Sequence, residues 1–421
     1  MGKPALQLKD VFTPGGQPTL TYVSRDHLKL EEKLEAALAR GFAVNVVTGP
    51  TKSGKTVLSR RVLPKDALIS IEGGQVRSEA DFWKQVAFKL NLAKSVQRTG
   101  SDEASNQTEL GGGAKAELLG IGVSGGAKNT SGTKHVDGRS ATYDTVDLIS
   151  SLEALKNRSM ALLIDDFHYL DKPTQKAIIQ SLKGAVYDGL SVILLAVPHR
   201  AFDPITVEHE MEGRFKHIQI PDWSQDDLIK IPDLGFKALN VICPQKAMER
   251  ICSESFGNPL LVQEICTELC IANGVFGYQI TPKKLSADKL NDIFSEIAQS
   301  KGFPKYERLK RGPQSRGGRQ ARKFKDDTSA DIYAAILQAI ARLGPKPKTT
   351  YDEIRSSLKD ILADGQVPQK HEISAACAHM TKIAKDKLEG EPALEWLKGD
   401  DLLVLTDPFL MFYMKWAFKE G

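Results

Sequence analysis

Residues 49 to 56 read G-P-T-K-S-G-K-T, two glycines, a lysine and a hydroxyl at a spacing that suits the holding of a polyphosphate. A phosphate carries dense negative charge, and a ring of backbone N–H groups at a helix amino terminus binds it with help from the helix dipole. Gly49 and Gly54 would let that ring close where a Cβ would obstruct it, and Pro50, Thr51, Lys52, Ser53 and Val57 would complete the cradle. Lys55 would reach the β and γ phosphates, and Thr56 would ligate Mg²⁺. Such a metal needs an acidic outer partner, and an attacking water needs a base. The stretch "ALLIDDF" supplies both: Asp165, at the carboxyl end of an apolar strand, would hold the metal through water, and Asp166 would orient or deprotonate the nucleophile. Two solvated carboxylates ending a strand are the plainer alternative. Asp166 is shorter than a glutamate, so slow turnover is expected.

Two further cations could touch the same chemistry. After "VILLAVP" come His199 and Arg200, placed to reach a γ phosphate from a neighbouring strand. Arg200 is favoured because its charge is fixed, against a surface arginine with no role. Arg214, in "EGRFKHIQIP", precedes the last strand on a side that could face the next subunit's nucleotide. It reads as an arginine finger, or else as an internally paired or solvated arginine.

These residues need a scaffold, and the hydrophobic pattern describes one. "HLKLEEKLEAAL" is amphipathic at helical spacing, while "FAVNVV", "ALISIE", "SMALLIDDF", "LSVILLAV" and "HIQIP" are apolar runs suited to strands. Helical stretches such as "VLSRRVL" and "DFWKQVAFKLNL" separate them, which implies an α/β fold with a parallel sheet covered on both faces. Between about residues 93 and 143 a stretch rich in Gly, Ser, Thr and Asn interrupts the pattern. It reads as an insertion, either a disordered surface loop or a contact element, with "AELLGIGVSG" as a hairpin. From Trp223 to about Ser300 the periodicity is helical throughout, and beyond Asp326 three helical patterns precede a strand-like pair, as in a winged helix-turn-helix. The expected division is a tail over 1–20, a nucleotide-binding domain over 21–222, a helical lid over 223–300, a basic linker over 301–327 and a winged-helix-like domain over 328–421.

Composition narrows the rest. The 421 residues are 41% hydrophobic and contain no apolar run of eighteen, so neither a membrane span nor, with a polar and proline-broken start, a signal peptide is expected. The cytoplasm is the default. Five cysteines form no CxxC pair, and Cys266 and Cys270, four apart, read as buried apolar residues rather than ligands. Net charge is +4, but residues 301–325 carry ten Lys or Arg against Glu307 alone, a balance of +9 that leaves −5 elsewhere. A polyanion would meet that segment first.

With those residues in place, the chain resembles the AAA+ and STAND classes of P-loop NTPase, most closely STAND-like ATPases that end in a winged helix. The resemblance covers roughly residues 22 to 418, omitting the insertion. "YVSRDHLKLEEKL" looks like the segment that opens such nucleotide domains and implies that Val23 and Arg25 lie near adenine, although Ser24 and Asp26 stand where glycine and glutamate are usual. "IDDFHYL" is similar to the Walker B motif, "GRFKHIQIP" to the finger-bearing stretch, and "LTDPFLMFYMKWAF" to the carboxyl-terminal signature of archaeal-type ATPases. "FGNPLL" matches the lid motif, so Gly257 and Pro259 would close over the nucleotide. The resemblance implies a slow ATPase switch that forms a homo-oligomer when ATP-bound, often in anti-phage defence. No sensor array or fused effector enzyme is recognisable, which suggests a separate effector protein. ATP rather than GTP rests on this resemblance alone. The competing reading is a DNA-associated AAA+ ATPase, of the target-selecting kind used in transposition or replication, with the winged helix and basic linker on nucleic acid. Against it, "EISAACAHMTKIAK" carries only Lys382 and Lys385 as cations. A nucleotide-stabilised scaffold without catalysis is a third reading.

Overall fold

The computed structural model describes residues 6–92, 95–98, 132–136, 139–143, 147–198, 213–314, 318–387 and 392–417. In chain order its first strands are β1 (Val44–Thr48), β2 (Leu68–Glu72), β3 (Ser95–Arg98), β4 (Gly132–Val136), β5 (Arg139–Tyr143), β6 (Ala161–Asp165), β7 (Val192–Ala196) and β8 (Phe215–Gln219). Five of them form one sheet of order β2-β6-β7-β1-β8, and every pairing in it is parallel. Their residues alternate between two buried faces. Val44, Val46, Ile71, Leu162, Ile164 and Leu194 pack with Phe82, Leu155, Ile178 and Leu182 of the covering helices. Val47, Leu163, Ile193, Leu195 and Ile218 pack on the other face with Leu34 and Leu58. Burial on both faces is why these strands read as continuous apolar runs rather than alternating ones. Within the expected insertion, β3, β5 and β4 form a separate antiparallel sheet; "AELLGIGVSG" lies outside the described residues.

The remainder of the chain shares one core. Leu228, Phe236, Ile251, Leu261, Ile265 and Leu269 are continuous with Phe294, Tyr306, Ile336, Leu358 and Phe412. The segment expected as a basic linker therefore departs from that description. It continues the helix Leu290–Ile297 through one π turn, Ala298–Gly302, into the helix Phe303–Lys310, whose Tyr306 and Leu309 are buried. Gly302 and Pro304 look like breakers, yet the glycine lets the carboxyl-terminal helix Pro408–Trp416 approach closely. A Cβ at 302 would come within 2.4 Å of Tyr413 Cβ and closer still to the Phe409 carbonyl. Part of the basic charge is paired within the fold, Lys305 with Asp407, Arg319 with Asp331 and Arg322 with Glu372, and part at the surface, Lys301 with Glu264, Lys310 with Glu307 and Lys323 with Asp327.

Residues 6–12 likewise do not form a tail. Gln7 bridges Gly277, and Leu8, Val11 and Phe12 are buried. The Phe12 ring stacks edge-on against Phe236 at 5.4 Å in space left by Gly235. Toward the other end, helices Ile332–Leu343, Tyr351–Ile361 and Lys370–Lys387 accompany a three-stranded antiparallel sheet in which Leu402–Leu405 lies between Lys348–Thr350 and Leu394–Leu397. Cys266 and Cys270 are buried as expected, and so are Cys252 and Cys377; burial pushes the thiols of Cys252, Cys270 and Cys377 up to about 12.

Candidate functional site

Because the sheet is parallel, the loops that follow β1 and β6 emerge at the same edge, where α/β folds bind ligands. After Thr48 the chain turns at Gly49, where a Cβ would stand 2.9 Å from Ser53 Oγ and 3.0 Å from Ile220 Cβ. Lys52 takes φ 59° and Gly54 φ 101°, and the helix Lys55–Val62 starts at once. The loop thus curls its amides toward a helix amino terminus. Lys55 Nζ donates to the carbonyls of Gly49 (3.0 Å) and Pro50 (2.9 Å). Among the described residues the buried hydroxyls of Thr51 and Ser53 have no hydrogen-bond partner.

From the next strand but one, Asp165 meets this loop. The Thr56 hydroxyl donates to Asp165 Oδ2 at 2.7 Å, while the Asp166 N–H donates to Asp165 Oδ1 at 3.0 Å. Two hard oxygens, one hydroxyl and one carboxylate, suit magnesium, which keeps several waters and takes few protein ligands. Asp166 adopts φ 54°, a left-handed conformation that aspartate tolerates. Gly73 accommodates it, since a Cβ there would lie 2.6 Å from the Asp166 carbonyl.

A cavity of about 400 Å³ opens from these groups. Lys52, Ser53, Gly54, Lys55, Thr56 and Val57 line one end with Asp165 and Asp166; Val23, Arg25 and Pro259 line it elsewhere. Buried Arg25 lies 4.3 Å over the Trp223 ring and donates to the Pro221 carbonyl at 3.1 Å. Gly49, Pro50 and Thr51 form the loop behind the cavity, and Gly257, at φ 68°, stands outside its wall. Arg200 and His199 lie outside the described residues. Arg214 precedes β8 and sits 4.9 Å over the Tyr187 ring. Its neighbour Phe215 pairs with Val44, at the start of β1, whereas the phosphate loop follows Thr48 at the end. A five-residue strand spans about 16 Å, so Arg214 lies at the edge of the sheet opposite its own phosphate loop.

Several groups at the site escape a reading by local motif. Asn258 donates from Nδ2 to the Thr51 carbonyl at 3.2 Å, while its Oδ1 caps the helix Pro259–Ala272. Trp223 Nε1 donates to the Ser53 carbonyl at 2.9 Å. Lys52 Nζ donates to Asp407 Oδ2 at 2.9 Å and lies 5.0 Å over the Phe409 ring, and Lys305 pairs with the same carboxylate. Burial alone would raise Asp407, 3% exposed, but the two ammonium groups outweigh it and hold its carboxyl below the usual range. Asn258 and Asp407 fall within stretches already singled out by sequence, so their positions were flagged although their partners were not. Thr13, Thr21 and Gln263, which also line the cavity, carried no signal.

No protein-family model and no curated protein matches the chain. Among solved structures, it is similar to the Walker-type ATPase paby2304 of Pyrococcus abyssi over 94% of this chain and 99% of that one, at 15% identity and a TM-score of 0.51. The fold is that of this Walker-type ATPase, α/β with a parallel five-stranded sheet. Looser likenesses include Cdc6p of Pyrobaculum aerophilum (13% identity, 98% of each chain, TM-score 0.44) and the ORC2 protein of Aeropyrum pernix in its ADPNP-ADP complexes (12%, 96% of each chain, 0.46). Among the described residues of this P-loop chain, no helix is long and apolar enough to cross a membrane.

Proposed function

We propose that the protein binds ATP with Mg²⁺ and hydrolyses it slowly, as a STAND-like switch whose nucleotide state sets its assembly and its action on a separate effector. The observation that carries this reading is the 2.7 Å contact between Thr56 and Asp165, which joins the phosphate loop to the acidic strand end on one side of the sheet. In this reading the loop amides and Lys55 hold the phosphates, Thr56 and water-bridged Asp165 hold the metal, and Asp166 orients the attacking water. The metal's contribution is to neutralise charge on the β and γ phosphates. Gly257 and Pro259 open a lid whose Asn258 is bonded to the loop, and Val23 and Arg25 border the base. Arg200, four positions after β7 in the sequence, is the proposed contact to the γ phosphate. Arg214 acts on a second copy's nucleotide, because its own phosphate loop is at the opposite sheet edge.

The switch aspect draws on Lys52. Its bond to Asp407 ties the phosphate loop to the module over 328–421, which we read as a winged helix that contacts protein. The DNA-associated alternative loses part of its support to the ion pairs that occupy the basic segment. Light scattering with ADP, and with ATP plus Mg²⁺, with and without duplex DNA, tests the proposal. A larger species formed by ATP alone supports the switch. Hydrolysis without any change in mass refutes it, and assembly that requires DNA and weakens steeply with salt favours the alternative.

A further inference from the structure

Besides the groups around Lys55, the cavity is lined by Pro259, Leu260 and Gln263 of the helix Pro259–Ala272 and by Thr13 and Thr21. Gln263 is the polar side chain among those helix residues. It lies one turn along the helix from Pro259, about 6 Å at 1.5 Å per residue, lines the cavity, and is only 5% exposed. Its carboxamide has a fixed orientation. The Thr13 N–H donates to Gln263 Oε1 at 2.7 Å, and since a backbone N–H can only donate, the oxygen must be the atom on that side. The Thr21 hydroxyl, 3.5 Å from the same oxygen, already donates to the Val11 carbonyl at 2.8 Å.

That leaves Nε2. Among the described residues nothing accepts from it, and although Gln263 is only 5% exposed, this nitrogen is not among the fully enclosed unpaired atoms, which leaves it as a donor open to the cavity that water or a ligand can satisfy. Adenine offers unprotonated ring nitrogens at positions 1, 3 and 7, whereas the phosphates are held by the loop around Lys55. We infer that Gln263 Nε2 reads the base of the bound nucleotide by donating to an adenine ring nitrogen, an inference that rests on the nucleotide-binding proposal. Thr13 acts as a positioning residue, its N–H holding the carboxamide oxygen so that the donor side faces the ligand. Gln263 thereby supplies the base contact that no local motif in the sequence provides.

Gln263→Glu inverts the contact with little change in shape: one carboxylate oxygen still accepts from the Thr13 N–H, and the other presents an acceptor where a donor stood. Calorimetric titration of wild type and Gln263→Glu with ATP, and with base-free inorganic tripolyphosphate, both with Mg²⁺, reads the effect. The expected result is a loss of about tenfold or more in ATP affinity with tripolyphosphate affinity unchanged. Equal losses for both ligands would mean that the added charge acts on the phosphates, and unchanged ATP affinity would mean no base contact; either overturns the inference. Wild type binding neither ligand would instead overturn the nucleotide-binding proposal itself. A second arm stays with the wild-type protein: of 1-, 3- and 7-deaza-ATP, one should bind about tenfold more weakly than ATP. If all three bind as tightly as ATP, Gln263 does not read the base.

Discussion

Lys55 reaches into the site with its ammonium already engaged by two carbonyls, those of Gly49 and Pro50. Phosphate oxygens can displace them because they carry full negative charge, so the ammonium gains an ion pair as well as a hydrogen bond where a neutral carbonyl gives only the hydrogen bond. Lys55→Ala should therefore lower ATP affinity by at least about 100-fold, since a charged hydrogen bond is worth roughly 1.5–3 kcal/mol and two are lost; calorimetry measures it, and wild-type affinity in the variant would remove the site. Asp166→Asn asks a different question. Asparagine also tolerates the left-handed conformation seen at 166, so the turn should survive, ATP should bind as before, and single-turnover hydrolysis should fall about 100-fold or more. These two residues were legible in sequence because the loop and the strand end each present their chemistry within a few consecutive positions. Asn258, Trp223, Lys52 with Asp407, and Gln263 were not, because each acts through a partner roughly 170 to 355 residues away in the chain, and pattern reading sees only neighbours.

At the level of elements, β1, β6 and β7 could be read directly, since burial on both faces marks each as an apolar run, whereas the edge strand β8, Phe215–Gln219, is largely exposed and shows only Ile218 buried. Elements whose stability comes from distant packing were harder to see. The strand Lys348–Thr350 has a polar sequence and exists through its pairing with Leu402–Leu405. The helix Phe303–Lys310 follows a glycine and contains a proline, yet it is helical because Gly302 admits the Pro408–Trp416 helix and Pro304 stands in the first turn, where a missing N–H is harmless. A pair of substitutions checks this account. Gly302→Ala should destabilise the fold by about 3 kcal/mol, because its Cβ meets backbone and Cβ atoms that cannot swing aside. Gly184→Ala, in the last turn of the helix Lys172–Tyr187 with nothing near its Cβ, should stabilise by about 0.5 kcal/mol. Denaturant titration of both variants would show opposite shifts in midpoint, and shifts of the same sign would contradict the packing described.

At the scale of the molecule, Asp407 joins the phosphate loop to the segments that follow the lid. Its carboxyl lies below the usual range, so the contact contributes stability above the unfolded value near 4 and loses it as pH falls through the folded value. Wild type should therefore show a fall in thermal midpoint beginning near pH 4 that Asp407→Asn lacks, and at neutral pH the variant should be less stable by roughly 3 kcal/mol, as for a broken buried ion pair. Coinciding pH profiles would show that the pair carries no weight. Arg214 belongs to the same scale, since its own phosphate loop is out of reach. Arg214→Ala and Asp166→Asn proteins, each inactive alone, should regain part of the wild-type hydrolysis rate when mixed; no recovery would return Arg214 to a structural role against Tyr187. The Lys52–Asp407 bond also has a consequence for biosynthesis. Its two ends are 355 residues apart, and at about 5–20 residues per second a ribosome needs roughly 20–70 s to travel between them. Throughout that interval the nascent loop 49–56 must do without its carboxylate, so the growing chain passes through a stage in which that edge of the sheet has been made and its tether has not.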